Sequence, residues 1–331
     1  HPRMESAALF GAPAMSRGPR VVVVGSSNTD LVIKAQTIPR PGETVLGGTF
    51  IPALGGKGAN QAVAAARLGA DVTFVARIGM DGFGDAAVAG LTTEGIHTGF
   101  VARDAEAASG VALIMVDERG ENAIAVAPGS NGLLSTDDVE RARGAIADAD
   151  VLLLQLETPL EAVGHAARLA QAARVPVILN PAPAQALDRE LLERVTVLTP
   201  NRGEAALLSG VAVRDARAAE AAATALLGTG ATTVVITLGA DGALWASRAG
   251  SELVAGPAVE AVDTTAAGDA FNGALAVALA TGQPMPDAVR FAALAGALAT
   301  TRLGAQPSLP TREAVESFQA AHVTPPRQRK G

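Results

Sequence analysis

The segment "DTTAAGDAF", residues 263–271, places a single carboxylate, Asp269, directly after three small residues. Ala266, Ala267 and Gly268 leave room for backbone N–H groups to converge on a ligand, and a following helix would add its positive end, which would also keep Asp269 ionised. Such a site stabilises anions, including the oxygens of a phosphoryl group in transfer. The neighbouring carboxylate could then accept the proton of an attacking hydroxyl. A second interpretation is that Asp269 only caps the helix.

A second polar cluster begins the Ala-rich segment "GGKGANQAVAAARLGA", residues 55–70. Its glycines, Gly56 among them, permit a close approach of the backbone to a ligand. Lys57 and Asn60 add side-chain donors at the start of a predicted helix, where sugar hydroxyls could bind. The alternative is a flexible turn that leads into a packing helix.

Polar residues also follow several apolar runs, which is where open α/β sheets bind ligands. After the first run, "GSSNTD" supplies Asn28 and Asp30. The residues that follow later runs are Glu157, Asn180, Asn201, Glu204, Thr237 and Gly239. Capping of the next helix explains some of them equally well, Asn201 in particular.

The elements that must position these residues alternate along the chain. Apolar, β-branched runs predict strands that begin near Arg20, Asp71, Asp150, Val175, Val195 and Thr232. Ala-rich stretches with helical spacing lie between them, at residues 58–69, 159–173 and 214–228. This alternation predicts an α/β fold with a doubly wound, mostly parallel sheet flanked by helices.

Two regions interrupt the alternation, at residues 31–54 and 110–127, and each reads as a pair of short strands. We predict that the four strands form a separate small sheet, which serves as a lid and pairs with a second copy of the chain. The remaining boundaries are one α/β domain at 20–320, a flexible tail at 321–331, and vector-derived residues with a disordered leader at 1–19.

Composition excludes several classes of protein. The 331 residues are 49% hydrophobic and carry a net charge of −7 without a basic cluster, which argues against nucleic-acid or anionic-membrane surfaces. Cysteine is absent, so disulfides and thiolate chemistry are excluded, and a reducing, cytoplasmic location fits. No apolar run is long enough to span a membrane. The P-loop, G-x-G-x-x-G, H-E-x-x-H and G-x-S-x-G motifs are also missing.

Taken together, the motifs resemble the ribokinase-like carbohydrate kinase family over about residues 20–318. The segments that carry the resemblance are "GSSNTD", "FIPALGGKGANQAVAAARLGA", "QLETPLEAV", "LNPAPA", "TPNRGEA", "ITLGADGALW", "AVDTTAAGDAFNGAL" and "GAQPSLP". "DTTAAGDAF" and "GGKGAN" are the most specific to the family. The "NPAPA" and "GAQPS" segments favour those members that phosphorylate D-ribose.

The resemblance implies an ATP-dependent kinase that phosphorylates D-ribose at O5, with Mg²⁺ and a monovalent cation (K⁺) as activator. The homodimer remains a prediction from the lid sheet. A kinase for deoxyribose or another pentose stays open, because the loss of one hydroxyl changes only one or two contacts. A nucleoside kinase has less support, since aromatic residues make up only 3% of the chain. A sugar-sensing protein without catalysis is the alternative from another class.

By position, the resemblance implies that Asp269 is the catalytic base and that the amides of residues 266–269 form the anion hole. The sugar-binding residues it implies are Asn28, Asp30, Gly56, Lys57, Asn60 and Glu157. The ATP site comprises Asn201, Thr237, Gly239 and Gly242, and Glu204 organises Mg²⁺ through water. The monovalent cation is assigned to Asp263, Thr265, Ala299, Arg302, Gly304 and Ser308. Arg202 and Gly203 depart from the family's usual residues within the N-x-x-E pattern.

Overall fold

The computed structural model of the protein describes residues 18–322. Nearly all of the predicted leader and tail therefore lies outside the described residues. The strands, in chain order, are β1 (Arg20–Val24), β2 (Asn28–Lys34), β3 (Thr49–Gly55), β4 (Asp71–Gly79), β5 (His97–Asp104), β6 (Gly110–Val116), β7 (Asn122–Ala127), β8 (Val151–Leu154), β9 (Val177–Leu179), β10 (Val197–Leu198), β11 (Thr233–Thr237), β12 (Ala243–Ser247) and β13 (Gly250–Val254).

Helices connect most of these strands. The α-helices, in chain order, are α1 (Lys57–Arg67), α2 (Gly82–Thr93), α3 (Thr136–Arg141), α4 (Arg143–Ala147), α5 (Leu160–Ala173), α6 (Arg189–Leu192), α7 (Arg202–Ser209), α8 (Ala216–Leu227), α9 (Ala267–Ala280), α10 (Met285–Thr300) and α11 (Arg312–His322). The three predicted Ala-rich helices are confirmed as α1, α5 and α8. Within the part of the chain that the structure describes, no helix combines the length and apolar character needed to cross a bilayer.

The larger sheet has nine strands in the order β13-β12-β11-β10-β9-β8-β1-β4-β5. All pairings are parallel except those of β12 with its two neighbours, β11 and β13. All six predicted strands are present, so the doubly wound, mostly parallel sheet is confirmed. The chain starts in the middle at β1, runs out to β5, and returns to β8 on the other side of β1. This reversal opens a crevice at the carboxyl ends of the central strands.

The helices cover both faces of this sheet, which explains the continuous apolar runs. In β1, Val21 and Val23 pack in one core cluster with residues of α1, α9 and α10. Val22 and Val24 point to the opposite face and pack with residues of α5 and α8. Because neither face of β1 meets solvent, the strand has no polar alternation.

The smaller sheet contains β3-β2-β6-β7 in that order, which confirms the predicted separate sheet. It begins earlier than predicted, because Asn28 already pairs with Gly55 and Gly110. A Cβ at Gly110 would lie only 2.3 Å from the Asn28 Oδ1 atom, so glycine is favoured where β2 and β6 begin. Asn28 and Asp30 therefore belong to the small sheet rather than to a loop of the large one.

Candidate active site

Asp269 lies in the first turn of α9, yet it does not cap that helix. The N-cap is Ala266, which has a left-handed φ of 59°, and no side chain caps the helix. The Asp269 carboxylate is buried and turns to α1 instead. Its Oδ2 accepts a hydrogen bond from Asn60 Nδ2 at 2.9 Å, and its Oδ1 accepts one from Gln61 Nε2 at 3.0 Å. The capping interpretation is therefore wrong.

The start of α9 presents backbone amides next to this carboxylate. Among residues 18–322, the N–H groups of Ala266, Gly268 and Asp269 have no acceptor, while that of Ala267 donates to the Thr264 carbonyl at 3.3 Å. Unpaired amides are expected in the first turn of a helix, where they point toward any bound anion. Three of the four predicted amides are thus available to a ligand.

Two cavities meet at these amides. The first has a volume of about 200 Å³ and polar walls that include Lys57, Asp269, Asn201 and Glu204. The second has a volume of about 520 Å³, and its walls are mostly apolar, with Phe271 on one side. Thr237, Thr264 and Gly268 line both cavities. A ligand with an apolar ring and a charged end could therefore lie in the second cavity and reach into the first.

The predicted sugar-binding residues converge on the other side of Lys57. Glu157 Oε2 accepts hydrogen bonds from the Lys57 amide at 2.9 Å and from Ser26 Oγ at 2.5 Å. Gly56, at φ 90°, lies so close to Asn28 that a Cβ there would be 2.6 Å from the Asn28 amide nitrogen. Only glycine suits this position, because both the backbone angle and the space exclude a side chain.

Unsatisfied acceptors line this region. Asn60 Oδ1 is buried without a partner among the described residues. The half-buried Asp30 carboxylate also accepts no hydrogen bond from residues 18–322, and its partial burial, together with the charges of Glu157 and Asp269, raises its pKa to about 6. Buried acceptors without donors are costly, so a ligand rich in hydroxyl groups is suited to this place.

Lys57 lies among the carboxylates of both regions. Burial alone would lower the pKa of Lys57, but Asp269, Glu157 and Glu204 hold it above its ordinary value. Burial raises the pKa of Asp269, while the charge of Lys57 and the hydrogen bonds from Asn60 and Gln61 oppose this rise. The site thus holds one ammonium group against several carboxylates, which favours a ligand that brings further hydrogen-bond donors.

The unusual ionisation of Asp30 makes a prediction about stability. A raised native pKa stabilises the fold below the unfolded value of 3.8, and this contribution is lost as the pH rises through about 6. Asp30→Asn is therefore expected to raise the free energy of unfolding at pH 7.5 by at most about 3 kcal/mol. The melting temperature should rise with it, and the rise should be smaller at pH 4.5. Calorimetry of both proteins at both pH values tests this. Equal differences at the two pH values would contradict it.

Asn201 and Glu204 form a capping box at the start of α7, which confirms the predicted N-cap. Asn201 Oδ1 accepts from the Glu204 amide at 2.9 Å, and Glu204 Oε2 accepts from the Asn201 amide at 2.8 Å. Both residues still face the first cavity. Arg202 points away from it, to Asp241 and to the carbonyl of Leu238. The departure at Arg202 thus leaves the Glu204 side chain undisturbed.

Hydrogen bonds bring predicted cation-binding residues from the segment before α9 next to those at and after the end of α10. Asp263 Oδ1 accepts hydrogen bonds from the amide and the hydroxyl of Thr265 at 2.9 and 2.6 Å, and its Oδ2 accepts one from the Gly304 amide at 2.9 Å. The Asp263 amide donates to the carbonyl of Thr300, the residue after Ala299. Two further residues were assigned to the cation. The Arg302 amide donates to the Ala299 carbonyl at 3.4 Å, and the Ser308 hydroxyl donates to the Ala305 carbonyl at 2.8 Å.

Sequence reasoning missed three buried amide side chains that support the site. Gln61 contacts Asp269 as described, and Asn272 Nδ2 donates to the Gly268 carbonyl at 2.8 Å. Asn131 Nδ2 donates to Asn28 Oδ1 at 2.8 Å. Because this bond fixes the oxygen of the Asn28 amide, its two hydrogens point away from Asn131. Asn272 could have been found as the single amide on the apolar helix α9, and Gln61 as the polar neighbour of Asn60, whereas nothing in the local sequence marks Asn131.

Comparisons with known proteins identify the family to which the chain belongs. Residues 19–312 match the family described as pfkB family carbohydrate kinase. The chain is 44% identical to the ribokinase of Haemophilus influenzae, over 90% of this chain and 97% of that protein. It is 36% identical to the deoxyribokinase of Salmonella typhi, over 90% and 98%. The structure of Arabidopsis thaliana ribokinase complexed with ribose and ATP matches with a TM-score of 0.84 and 32% identity, over 92% and 99%. On this evidence, the chain belongs to the pfkB family of carbohydrate kinases.

Proposed function

We propose that this kinase transfers the terminal phosphoryl group of ATP to the O5 hydroxyl of D-ribose and releases ADP and D-ribose 5-phosphate. The observation that carries the proposal is the position of Asp269, a buried carboxylate beside unpaired amides at the junction of the two cavities. The similarity to ribokinases, one of them solved with ribose and ATP, supports the choice of substrates.

In the proposed reaction, Asp269 accepts the proton of the O5 hydroxyl while that oxygen forms a bond to the terminal phosphorus. The bond from this phosphorus to the bridging oxygen breaks, and ADP leaves with the electron pair. Asn60 and Gln61 fix both oxygens of the carboxylate, so the base is held in one orientation before the sugar binds. Positioning of this kind contributes much of the catalysis in phosphoryl transfer.

The amides of Ala266, Gly268 and Asp269 form the proposed anion hole for the transferred phosphoryl group. The purine ring of ATP would occupy the larger, apolar cavity beside Phe271. The remaining residues assigned to ATP are Asn201, Thr237, Gly239 and Gly242. Their arrangement supports the assignment because Thr237 lines both cavities, so a nucleotide can run from one into the other.

The proposed sugar site uses the acceptors that lack donors. The hydroxyl groups of ribose would donate to Asp30 and to Asn60 Oδ1, which have no other donor among the described residues. Asn28 would donate its amide hydrogens, because Asn131 already binds its oxygen. The sugar contacts assigned to Gly56, Lys57 and Glu157 complete the set. The small sheet, which carries Asn28 and Asp30, would close over the sugar and exclude water.

Mg²⁺ fits the polar cavity as a companion of ATP. Glu204 and Asn201 line this cavity, and the capping box occupies only one carboxylate oxygen of Glu204. One free carboxylate oxygen beside substrate phosphates suits Mg²⁺, which keeps most of its water ligands. When bound, the ion would neutralise charge on the phosphate oxygens.

A monovalent cation, K⁺, fits the group of residues around Asp263. This group offers oxygen donors only, from one carboxylate, hydroxyls and backbone carbonyls, which suits a hard cation of low charge. Thr265, Ala299, Arg302, Gly304 and Ser308 would contribute, Ala299 and Arg302 through their carbonyls. When bound, the ion would order the loop that precedes α9 and add to its positive field.

The small sheet also supports a proposed homodimer. Ile33, Phe50 and Leu113 lie on the face opposite Asp30 by the alternation of the strands, and they are 41%, 59% and 55% exposed. Apolar side chains grouped on one face mark an association surface. We expect the wild-type chain to sediment as a dimer at micromolar concentration and the double variant Phe50→Glu/Leu113→Glu to sediment as a monomer.

Leu207→Glu provides a matched control for the dimer, because Leu207 is 61% exposed on α7, far from the small sheet in sequence. This variant should sediment as the wild type does. A monomeric wild-type protein at micromolar concentration would refute the proposed dimer without affecting the proposed reaction.

The function is tested by the consumption of ATP with ribose, deoxyribose, fructose and adenosine, each with and without K⁺. We expect the highest kcat/KM with ribose and a faster reaction in K⁺. Deoxyribose is the specific competitor because of the 36% identity to a deoxyribokinase. A higher kcat/KM on another acceptor would replace ribose as the substrate, and no turnover on any of them would favour a sugar-sensing protein.

The domain limits and the location follow the same proposal. We place one kinase domain at residues 20–320, with the small sheet as its lid, which agrees with the family match at 19–312. The absence of cysteine from the sequence fits a reducing compartment, so a cytoplasmic enzyme is proposed, and cell fractionation tests it.

A further inference from the structure

A chain of buried amide side chains lies behind Asp269. Gln61 Nε2 donates to Asp269 Oδ1 at 3.0 Å and to Asn180 Oδ1 at 3.1 Å, so both of its hydrogens are used. Gln61 is fully buried. We propose that Gln61 is a positioning residue, which holds the Asp269 carboxylate in its reactive orientation and favours its ionised form. This inference rests on the proposed function, in which Asp269 acts as the base.

A second glutamine fixes the direction of the Gln61 amide. Gln155 Nε2 donates to Gln61 Oε1 at 2.6 Å, and Gln155 is also fully buried. If the Gln61 amide were reversed, its oxygen would face the Asp269 carboxylate, and two acceptors would repel each other. Gln155 thus ensures that Gln61 presents hydrogens, not lone pairs, to the base. Gly25 leaves the space that Gln155 needs, because a Cβ there would overlap Gln155 Oε1.

The same chain extends to the anion hole. Asn180 Nδ2 donates to the Thr199 carbonyl at 3.1 Å, and Thr199 Oγ1 donates to Asn272 Oδ1 at 2.6 Å. Asn272 Nδ2 then donates to the Gly268 carbonyl. This carbonyl and the Asp269 amide belong to one peptide group, so its orientation sets that of the amide. One buried network therefore holds both the carboxylate and an adjacent donor of the anion hole.

The electrostatic surroundings explain why the base needs this support. Carboxylates face Asp269 from three other elements, namely Asp30 on β2, Glu157 after β8 and Glu204 on α7. With burial, they favour the protonated form, which cannot act as a base. Lys57 is the cation that opposes them, and Asn60 and Gln61 are the neutral donors. Loss of the Gln61 donor should therefore raise the pKa of Asp269 further.

The test compares Gln61→Met with the wild type in a pH profile of kcat/KM on the preferred sugar. Methionine keeps the length and apolar stem of glutamine but donates no hydrogen bond. We expect the acid limb to move to higher pH by about one unit, because a hydrogen bond to the charged form lowers a carboxyl pKa by this order. We also expect kcat to fall by about tenfold and KM for the sugar to change by less than about twofold, since the Gln61 amide is bonded to protein side chains and lines neither cavity.

Two further variants keep the test decisive. Gln155→Met removes the hydrogen bond that fixes the orientation of the Gln61 amide, but it leaves the Gln61 donor in place. The acid limb should therefore move in the same direction by a smaller amount. Gln171→Met is the matched control, because Gln171 is an exposed glutamine of α5 whose side chain accepts a hydrogen bond from Arg194; it should leave the profile unchanged. If Gln61→Met does not fold, Gln155→Met decides alone.

The inference would be overturned if the acid limb did not move in folded Gln61→Met and Gln155→Met. Lowered melting temperatures alone would show that Gln61 has only a structural role. Failure of the proposed function gives a different result, because the wild-type protein would then turn over no sugar, or Asp269→Asn would keep the wild-type kcat.

Discussion

Asp269→Asn is expected to lower kcat by about three to four orders of magnitude on whichever sugar the wild type prefers. Asparagine has nearly the same shape as aspartate but cannot take up the proton of the attacking hydroxyl. Its NH₂ group must also face Asn60 or Gln61, which both donate to the native carboxylate, so one hydrogen bond becomes a repulsive contact. Steady-state kinetics with a matched titration of sugar binding measures the effect.

The control for this substitution is Asp137→Asn. Asp137 also lies in the first turn of a helix, α3, but it is exposed and lies outside the lining of both cavities. It should keep wild-type turnover. If Asp269→Asn retained wild-type kcat while binding the sugar normally, Asp269 would not be the base.

Gly268→Ala is expected to lower kcat by about two orders of magnitude while slightly stabilising the protein. A Cβ at Gly268 meets no atom within 4 Å, so the fold accommodates it. The methyl group would instead project near the junction of the two cavities and hold a phosphoryl group away from the amides, and the loss of one such donor costs about 10²- to 10³-fold. Alanine in a helix is favoured over glycine by about 0.5–1 kcal/mol.

Opposite changes in activity and stability make this prediction specific. Gly144→Ala is the matched control, because Gly144 is a helical, exposed glycine of α4 whose Cβ would also meet nothing within 4 Å. It should gain stability without any loss of turnover. Thermal denaturation and kcat measured on both variants test the pair, and full activity in Gly268→Ala would argue against an anion hole at residues 266–269.

Much of the fold follows from the sequence because its signals are local. Apolar runs such as residues 20–25 mark strands buried on both faces, and Ala-rich periodicity marks the helices between them. The small sheet was also predictable, although its start was placed three residues too late. Asn28 carries a polar side chain, and only its pairing with Gly55 and Gly110 makes it part of a strand.

The candidate site was predicted unevenly. The unpaired amides of Ala266, Gly268 and Asp269 depend on small residues that are adjacent in the sequence, so the motif itself indicates them. Whether Asp269 caps its helix or faces a substrate could not be read locally, because both roles suit an aspartate in the first turn. Packing of α1 against α9 decided this, since it brings two amide donors to the carboxylate.

The sequence by itself determined the class of fold, the order of its elements and the anion-binding start of α9, because each depends on neighbouring residues. Only the tertiary structure showed that Gln61 contacts Asp269 from 208 positions away and that Asn131 holds Asn28 from 103 positions away. Such contacts depend on which faces of distant elements pack together. Hydrophobic periodicity predicts that a face is buried, but it does not specify which polar side chain a buried carboxylate will meet.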